Sequence, residues 1–366
     1  MTEALFQPDW LSRPGDTIST LMSRRGFHSG HLAMLMGRER RFVHGLLAGS
    51  IGINNDIAAS LSKHLGGSAT FWRTRQRQFD LALDQAVSAL PPERAKEWLR
   101  LLPLRDMLSA GWVAHAKGRE ALRSALAYFG VSGPDDWKSR YTSFANAFSY
   151  RSSPTYGSKL GALSAWLRQA EIEAEGSICV PWSADQLRAN VNAIRRLTKL
   201  KNPASFIPKL KALCADAGVS VVFVRAPSGC RASGATRFVS VDKAVIVLSF
   251  RHLSDDHFWF TLFHEIGHLL LHGRDATFID GEAATSSAKE KEANDFSSNV
   301  LIPSSSLEAF HSLRGNLKSI VRFAVSIDIA PGIVVGQMQH NQLLGPAQMN
   351  SLKRRYKWDD IQAALD

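Results

Sequence analysis

Phe263-His264-Glu265-Ile266-Gly267-His268-Leu269-Leu270-Leu271-His272 is the stretch that decides how this chain is read. It contains His-Glu-x-x-His. On a helix, positions four apart share a face, so His264 and His268 can point at one ion. Two neutral imidazoles suit Zn²⁺, and a carboxylate beside the first can take a proton from water at the metal. The spacing predicts a metal-binding helix in a zinc-dependent hydrolase, first of all a peptidase. His264 and His268 are the candidate ligands and Glu265 the candidate catalytic base.

The flanks agree with this reading. Asp255 and Asp256 stand where a helix would begin, and acids favour that positive end. Phe258, Trp259, Phe260, Leu262, Phe263, Ile266, Leu269 and Leu270 surround the histidines, as in a buried helix. Histidines in so apolar a helix need a polar partner, and a metal supplies one. Gly267 costs about 1 kcal/mol relative to alanine inside a helix, which implies close approach by a neighbour. His272 repeats the four-residue step, but about 12 Å of helical rise separates it from His264, too far to share an ion. Gly273 reads as the C-cap, so His272 suits the helix C-terminus, where a cation is favoured.

The third ligand must come from elsewhere. Ser286-Ser287-Ala288-Lys289-Glu290-Lys291-Glu292-Ala293-Asn294-Asp295-Phe296 offers Glu290 and Glu292. Ser287-x-x-Glu290 also has capping-box spacing, which gives Glu290 a purely structural alternative. Against that, the face of Glu290 carries Ala293, Asn294 and Ser297, small enough for another helix to approach. Asn294, one turn on, can hydrogen-bond a zinc histidine from behind. Glu292 shares a face with Phe296 and Asn299 and ranks second.

These residues carry a resemblance. His264-Glu265-x-x-His268-x-x-x-His272, then Glu290-x-x-Ala293-Asn294-x-Phe296 and Leu301-Ile302-Pro303, resembles the ImmA/IrrE family of bacterial metallopeptidases over roughly residues 180 to 345. The resemblance implies a gluzincin-type site, with His264, His268 and Glu290 on zinc and Glu265 as general base. Ser297-Ser298-Asn299 replaces the Ala-rich segment usual in the family. The resemblance further implies a regulatory protein substrate, a transcriptional repressor often of XRE type.

The N-terminal residues 14 to 85 read as five short helices. Gly37 separates a helix from Ser29 to Met36 from one running from Arg38 to Ala48. Arg38, Arg40, Arg41 and His44 on the second of these make a helix-turn-helix pattern whose cations would meet double-stranded DNA. Pro14-Gly15-Asp16, Leu32-Ala33-x-x-x-Gly37, Leu47-Ala48-Gly49 and Leu65-Gly66 with Phe71-Trp72 make this module similar to the XRE-type domains of HigA-like antitoxins. Such modules commonly act as dimers, which leaves a homodimer open. Residues 86 to 180 read as a helical middle region without chemistry, its Trp112, Trp137, Tyr141 and Phe144 taken as core. Three strands follow within Gly218 to Leu248. By analogy with gluzincins, Gly234-Ala235-Thr236-Arg237 would be an edge that binds an extended peptide. Arg237, Arg251 and His272 are candidates to stabilise an oxyanion. Lys353 to Trp358 reads as an exposed basic patch.

Composition narrows the setting. The 366 residues carry a net charge of +11, with basic clusters at Arg24 to Arg41 and Arg188 to Lys201, which favours a polyanionic or acidic partner. Three cysteines, Cys179, Cys214 and Cys230, form neither a disulfide framework nor a zinc spacing. No apolar run approaches the roughly 20 residues of a membrane span, and the first ten residues lack a secretory pattern. A cytoplasmic protein without a membrane partner is expected.

The expected fold is therefore α+β and mostly α. It divides into a helix-turn-helix domain (1–85), a helical middle region (86–180), a gluzincin-like domain with a small sheet (181–310) and a helical extension (311–366). The expected function is a zinc endopeptidase tethered to a DNA-binding module, acting in a stress, toxin–antitoxin, prophage or defence response. Its alternative is a HigA-like DNA-binding regulator whose zinc domain binds a partner or senses a ligand without proteolysis. A third reading has the chain cut itself near Pro91 or Ser152-Ser153-Pro154.

Overall fold

Apolar residues at three- and four-residue steps make the chain mostly helical, and a β-branched region between Val219 and Leu248 supplies most of a small sheet. The structure, a computed structural model, describes residues 12–115, 117–147, 156–273, 278–280 and 288–365. Ser152-Ser153-Pro154 and the capping serine Ser287 lie outside the described residues. By packing, the chain divides into two compact units. One comprises Met1–Asn146, Arg151–Ile178 and Pro227–Cys230; the other comprises Ala147–Tyr150, Cys179–Ala226 and Arg231–Asp366. Among the described residues no single helix is long and apolar enough to cross a membrane.

The first unit holds α1 (Pro14–Arg24), α2 (Ser29–Leu35), α3 (Arg40–Ala48), α4 (Asn55–Leu65) and α5 (Ala69–Ala89). It continues with α6 (Pro92–Leu101), α7 (Leu104–Ser109), α8 (Gly118–Phe129), α9 (Pro134–Ala147) and α10 (Tyr156–Glu175). Local caps set several starts: Asn54 accepts from the Ile57 amide and Ser68 from the Phe71 amide. α2 is capped by His28, whose Nδ1 accepts from the His31 amide at 3.1 Å. Trp137 and Tyr141 are buried as expected, and Trp137 Nε1 donates to Ser164 Oγ at 3.0 Å.

The second unit is built on the sheet. Its strands are β1 (Val219–Phe223), β2 (Gly234–Ser240), β3 (Lys243–Leu248) and β4 (Phe278–Asp280), in spatial order β1-β3-β2-β4. β1 runs parallel to β3, while β2 is antiparallel to both β3 and β4. The fourth strand corrects an expectation: Gly234, Ala235 and Thr236 pair with Asp280, Ile279 and Phe278, so this part of β2 is an inner strand and not an edge.

Around the sheet lie α11 (Ala184–Arg196), α12 (Pro203–Ala215), α13 (Asp255–His272), α14 (Ala288–Leu301), α15 (Leu307–His311), α16 (Leu317–Ser326), α17 (Pro331–His340) and α18 (Trp358–Ala363). The helix α13 carries the His-Glu-x-x-His motif and packs on β2, β3, α14 and α17. Its apolar positions Trp259, Leu262, Phe263 and Ile266 share one core with Ile320, Val334 and Ile361 near the chain's end.

That end is an exposed basic patch only in part: Arg355 and Lys357 are exposed, whereas Lys353 and Arg354 are engaged. Lys353 Nζ lies 2.6 Å from Asp256 Oδ2, with side chains only 8% and 7% exposed. Arg354 donates to the carbonyls of Thr198 and Leu200. The charge that looked solvated offsets a buried carboxylate at the start of α13, where an unpaired ion would be costly. The second basic cluster is likewise partly structural, since Arg195 donates to the carbonyls of Val300 and Leu301 and caps α14.

Candidate metal centre

The centre grows out of one seam, along which α14 runs antiparallel to α13. Ser297 Oγ donates to the Phe260 carbonyl at 2.8 Å. One turn on, His264 Nδ1 meets Asn294 Oδ1 at 2.9 Å. Gly267 faces α14 next: a Cβ there would lie 3.3 Å from Ala293 Cα and 3.1 Å from Phe296 Cδ1. The glycine and Ala293 thus let the two helices approach, as the sequence implied.

That approach delivers a carboxylate to the histidines. Glu290 Oε2 is 3.2 Å from His264 Nε2, and Glu290 Oε1 is 3.5 Å from His268 Nε2. The two Nε2 atoms are 2.9 Å apart. These donor atoms all lie within 4.8 Å of one another, and all three residues are buried. Glu292 goes elsewhere: its Oε2 lies 3.6 Å from His272 Nδ1 and its side chain is 60% exposed. The structure therefore brings Glu290, and not Glu292, to His264 and His268.

The protonation of the cluster suits a cation. A carbonyl oxygen such as Asn294 Oδ1 accepts, so His264 donates from Nδ1 and keeps a lone pair on Nε2. Burial pushes the His268 imidazole down to about 4, only partly opposed by its hydrogen bond to Glu290. Burial acts upward on Glu290, but hydrogen bonds to His264 and His268 outweigh it and hold the carboxyl at about 2. At neutral pH the His268 imidazole is thus neutral and Glu290 a carboxylate, donor forms that a divalent metal takes. Lone pairs converging this closely in a buried site repel one another unless a cation lies among them. The residues fit zinc.

Glu265 stands beside this cluster, fully buried, with its side chain against the start of β2. A Cβ on Gly234 would come within 2.6 Å of Glu265 Oε1 and 2.7 Å of Thr261 Cγ2. The strand therefore opens with a glycine because the carboxylate occupies the space a side chain would need. Thr236, two residues on, faces the same helix, its Oγ1 3.4 Å from the Glu265 carbonyl. Arg237, of opposite parity, lies on the other face of β2. It is not placed to stabilise an oxyanion. Arg251 Nη1 donates to the Arg231 carbonyl, and His272 Nε2 lies 3.1 Å from the Lys289 carbonyl. Gly234 is a site residue that sequence reasoning missed as such, although a glycine opening a strand signals close approach.

Residues 214–330 match the family model Peptidase_M78, the IrrE N-terminal-like domain. The match spans β1 to the end of α16, and so takes in His264, Glu265, His268 and Glu290. The region is thus similar to the IrrE N-terminal-like, metallopeptidase-type domain. No curated protein and no solved structure matches the chain.

Outside the M78-like region, the structure separates the four N-terminal candidates. Arg40 Nε and His44 Nε2 both meet Ser29 Oγ, at 3.0 and 3.2 Å, and so turn back onto α2. Arg41 is exposed and pairs with Glu39. Arg38 is exposed, its guanidinium 5.3 Å from the centroid of the Phe42 ring.

Proposed function

We propose that this chain is a zinc-dependent endopeptidase of the gluzincin type, with His264, His268 and Glu290 holding the metal and Glu265 as general base. One observation carries the reading: two imidazole nitrogens and a carboxylate converge in a buried site beside a second, non-ligating carboxylate. A closed structural site would need four ligands and no base, whereas three ligands and a glutamate are the parts of a hydrolytic one. When bound, zinc supplies Lewis-acid polarisation of a carbonyl and makes water acidic enough to give up a proton near neutral pH. Glu265 takes that proton on a carboxylate oxygen and delivers it to the departing amine. Gly234 leaves room for the same carboxylate against the start of β2, where any side chain would push it aside. Asn294 fixes the His264 tautomer so that Nε2 faces the metal.

The substrate we propose is a regulatory protein, with an XRE-type repressor the first to test. Arg38 and Arg41, exposed on and just before α3, support binding of double-stranded DNA by the N-terminal unit. Tethering at an operator would raise the local concentration of substrate, so the active site need not bind tightly. The test compares zinc-loaded wild type with Glu265→Gln on an XRE-type repressor. Retained zinc with cleavage slowed by about 10²–10⁴-fold supports the peptidase. Cleavage by Glu265→Gln at the wild-type rate would refute the role of Glu265.

A further inference from the structure

The seam between α13 and α14 has one more rung than the metal site needs. Beyond Glu290 it ends at His272, whose imidazole is only 4% exposed. The sequence assigns this histidine to the helix C-terminus, where it need touch nothing beyond its own helix. Instead it reaches across the seam. His272 Nε2 lies 3.1 Å from the Lys289 carbonyl, an acceptor, so this nitrogen donates. Its Nδ1 is 3.6 Å from Glu292 Oε2. Its ring sits 5.3 Å from that of His268. Lys289 immediately precedes Glu290, and both lie in the first turn of α14.

The geometry points to His272 as a positioning residue for Glu290: by holding the peptide carbonyl before it, His272 fixes the third ligand at the histidine pair. This rests on the metal-centre reading above and adds a residue to it. Glu290 is the one ligand not carried by α13, so its place depends on how α14 is docked. Ser297 and Asn294 set that docking below the site, and His272 sets it above. A ligand held from both sides need not be ordered by the metal, and so binds it more tightly.

The test measures zinc affinity by chelator competition on the full chain, with Co²⁺ absorption as a second readout. Wild type is compared with His272→Ala, His272→Gln and Glu292→Gln. Removing a group that orients a ligand typically weakens binding about 10–100-fold, which is the loss expected for His272→Ala. Glutamine can donate to the Lys289 carbonyl, so His272→Gln should recover most of the affinity and the wild-type cobalt spectrum. Glu292→Gln should stay within about threefold, because the Glu292 side chain is 60% exposed and is not among the metal-binding groups. Affinities of both His272 variants within threefold of wild type, whatever their melting temperatures, would reduce His272 to a helix cap and overturn the proposal. A wild type that binds no zinc would instead overturn the metal-centre reading and the proposal with it.

Discussion

Gly234→Ala is a small change with a large expected consequence. Gly234 does not have a positive φ, so alanine meets no backbone strain there. The new methyl would lie 2.6 Å from Glu265 Oε1, whereas an ordinary contact needs roughly 3.5 Å, so the carboxylate must retreat by about 0.9 Å. Overpacking of this kind costs about 1–3 kcal/mol, or a melting temperature lower by roughly 2–12 °C for a unit of this size. A displacement near 1 Å of the general base would also slow peptide cleavage by about 10²-fold. The origin of the loss is tested by a double-mutant cycle with Glu265→Ala, read by thermal and urea unfolding. Taking the glutamate away removes its share of the clash and leaves the 2.7 Å approach to Thr261 Cγ2, so the two changes should still be non-additive by about 1 kcal/mol. Additive effects, or an alanine variant as stable and as active as wild type, would refute the idea that Gly234 makes room for Glu265.

Asn294→Ala should weaken zinc binding by about 10–100-fold by freeing the His264 ring, measured by chelator competition. Lys353→Met should destabilise by about 3–5 kcal/mol in urea unfolding, because it leaves buried Asp256 uncompensated. Burial, and then Asp256, push Asp255 up to about 6 from its ordinary 3.8. The folded state therefore holds that proton more tightly than the unfolded one, and Asp255 costs stability as pH rises from about 4 through 6. Asp255→Asn should remove this dependence and stabilise the protein at pH 7 by up to about 3 kcal/mol, with little effect near pH 4; unfolding curves across that range check the sign.

What the sequence disclosed was what one helix encodes by itself. The four-residue step from His264 to His268, the apolar surround and the cost of Gly267 all belong to α13, and Asn294 and Glu290 share a face of α14. The parts that escaped notice depend on partners far along the chain. β4 is three residues long and exists because Gly234, Ala235 and Thr236 pair with it, so no pattern of its own announces it. Lys353 and Arg354 looked solvated because charge usually is, yet their partners Asp256, Thr198 and Leu200 come from distant segments. Arg40 and His44 sit on the face expected of a DNA reader, but Ser29 in the neighbouring helix engages both. Arg237 is one residue out of phase with the face of β2 that meets α13, a distinction only the register of β2 makes visible.

The central claim is that His264, His268 and Glu290 form a zinc site. Elemental analysis of protein purified without chelator, wild type beside Glu290→Ala and Glu292→Ala, tests it most directly. The account predicts about one zinc per chain in the wild type and in Glu292→Ala, and loss of the metal in Glu290→Ala. A wild type without zinc, or zinc lost with Glu292→Ala and kept with Glu290→Ala, would contradict it.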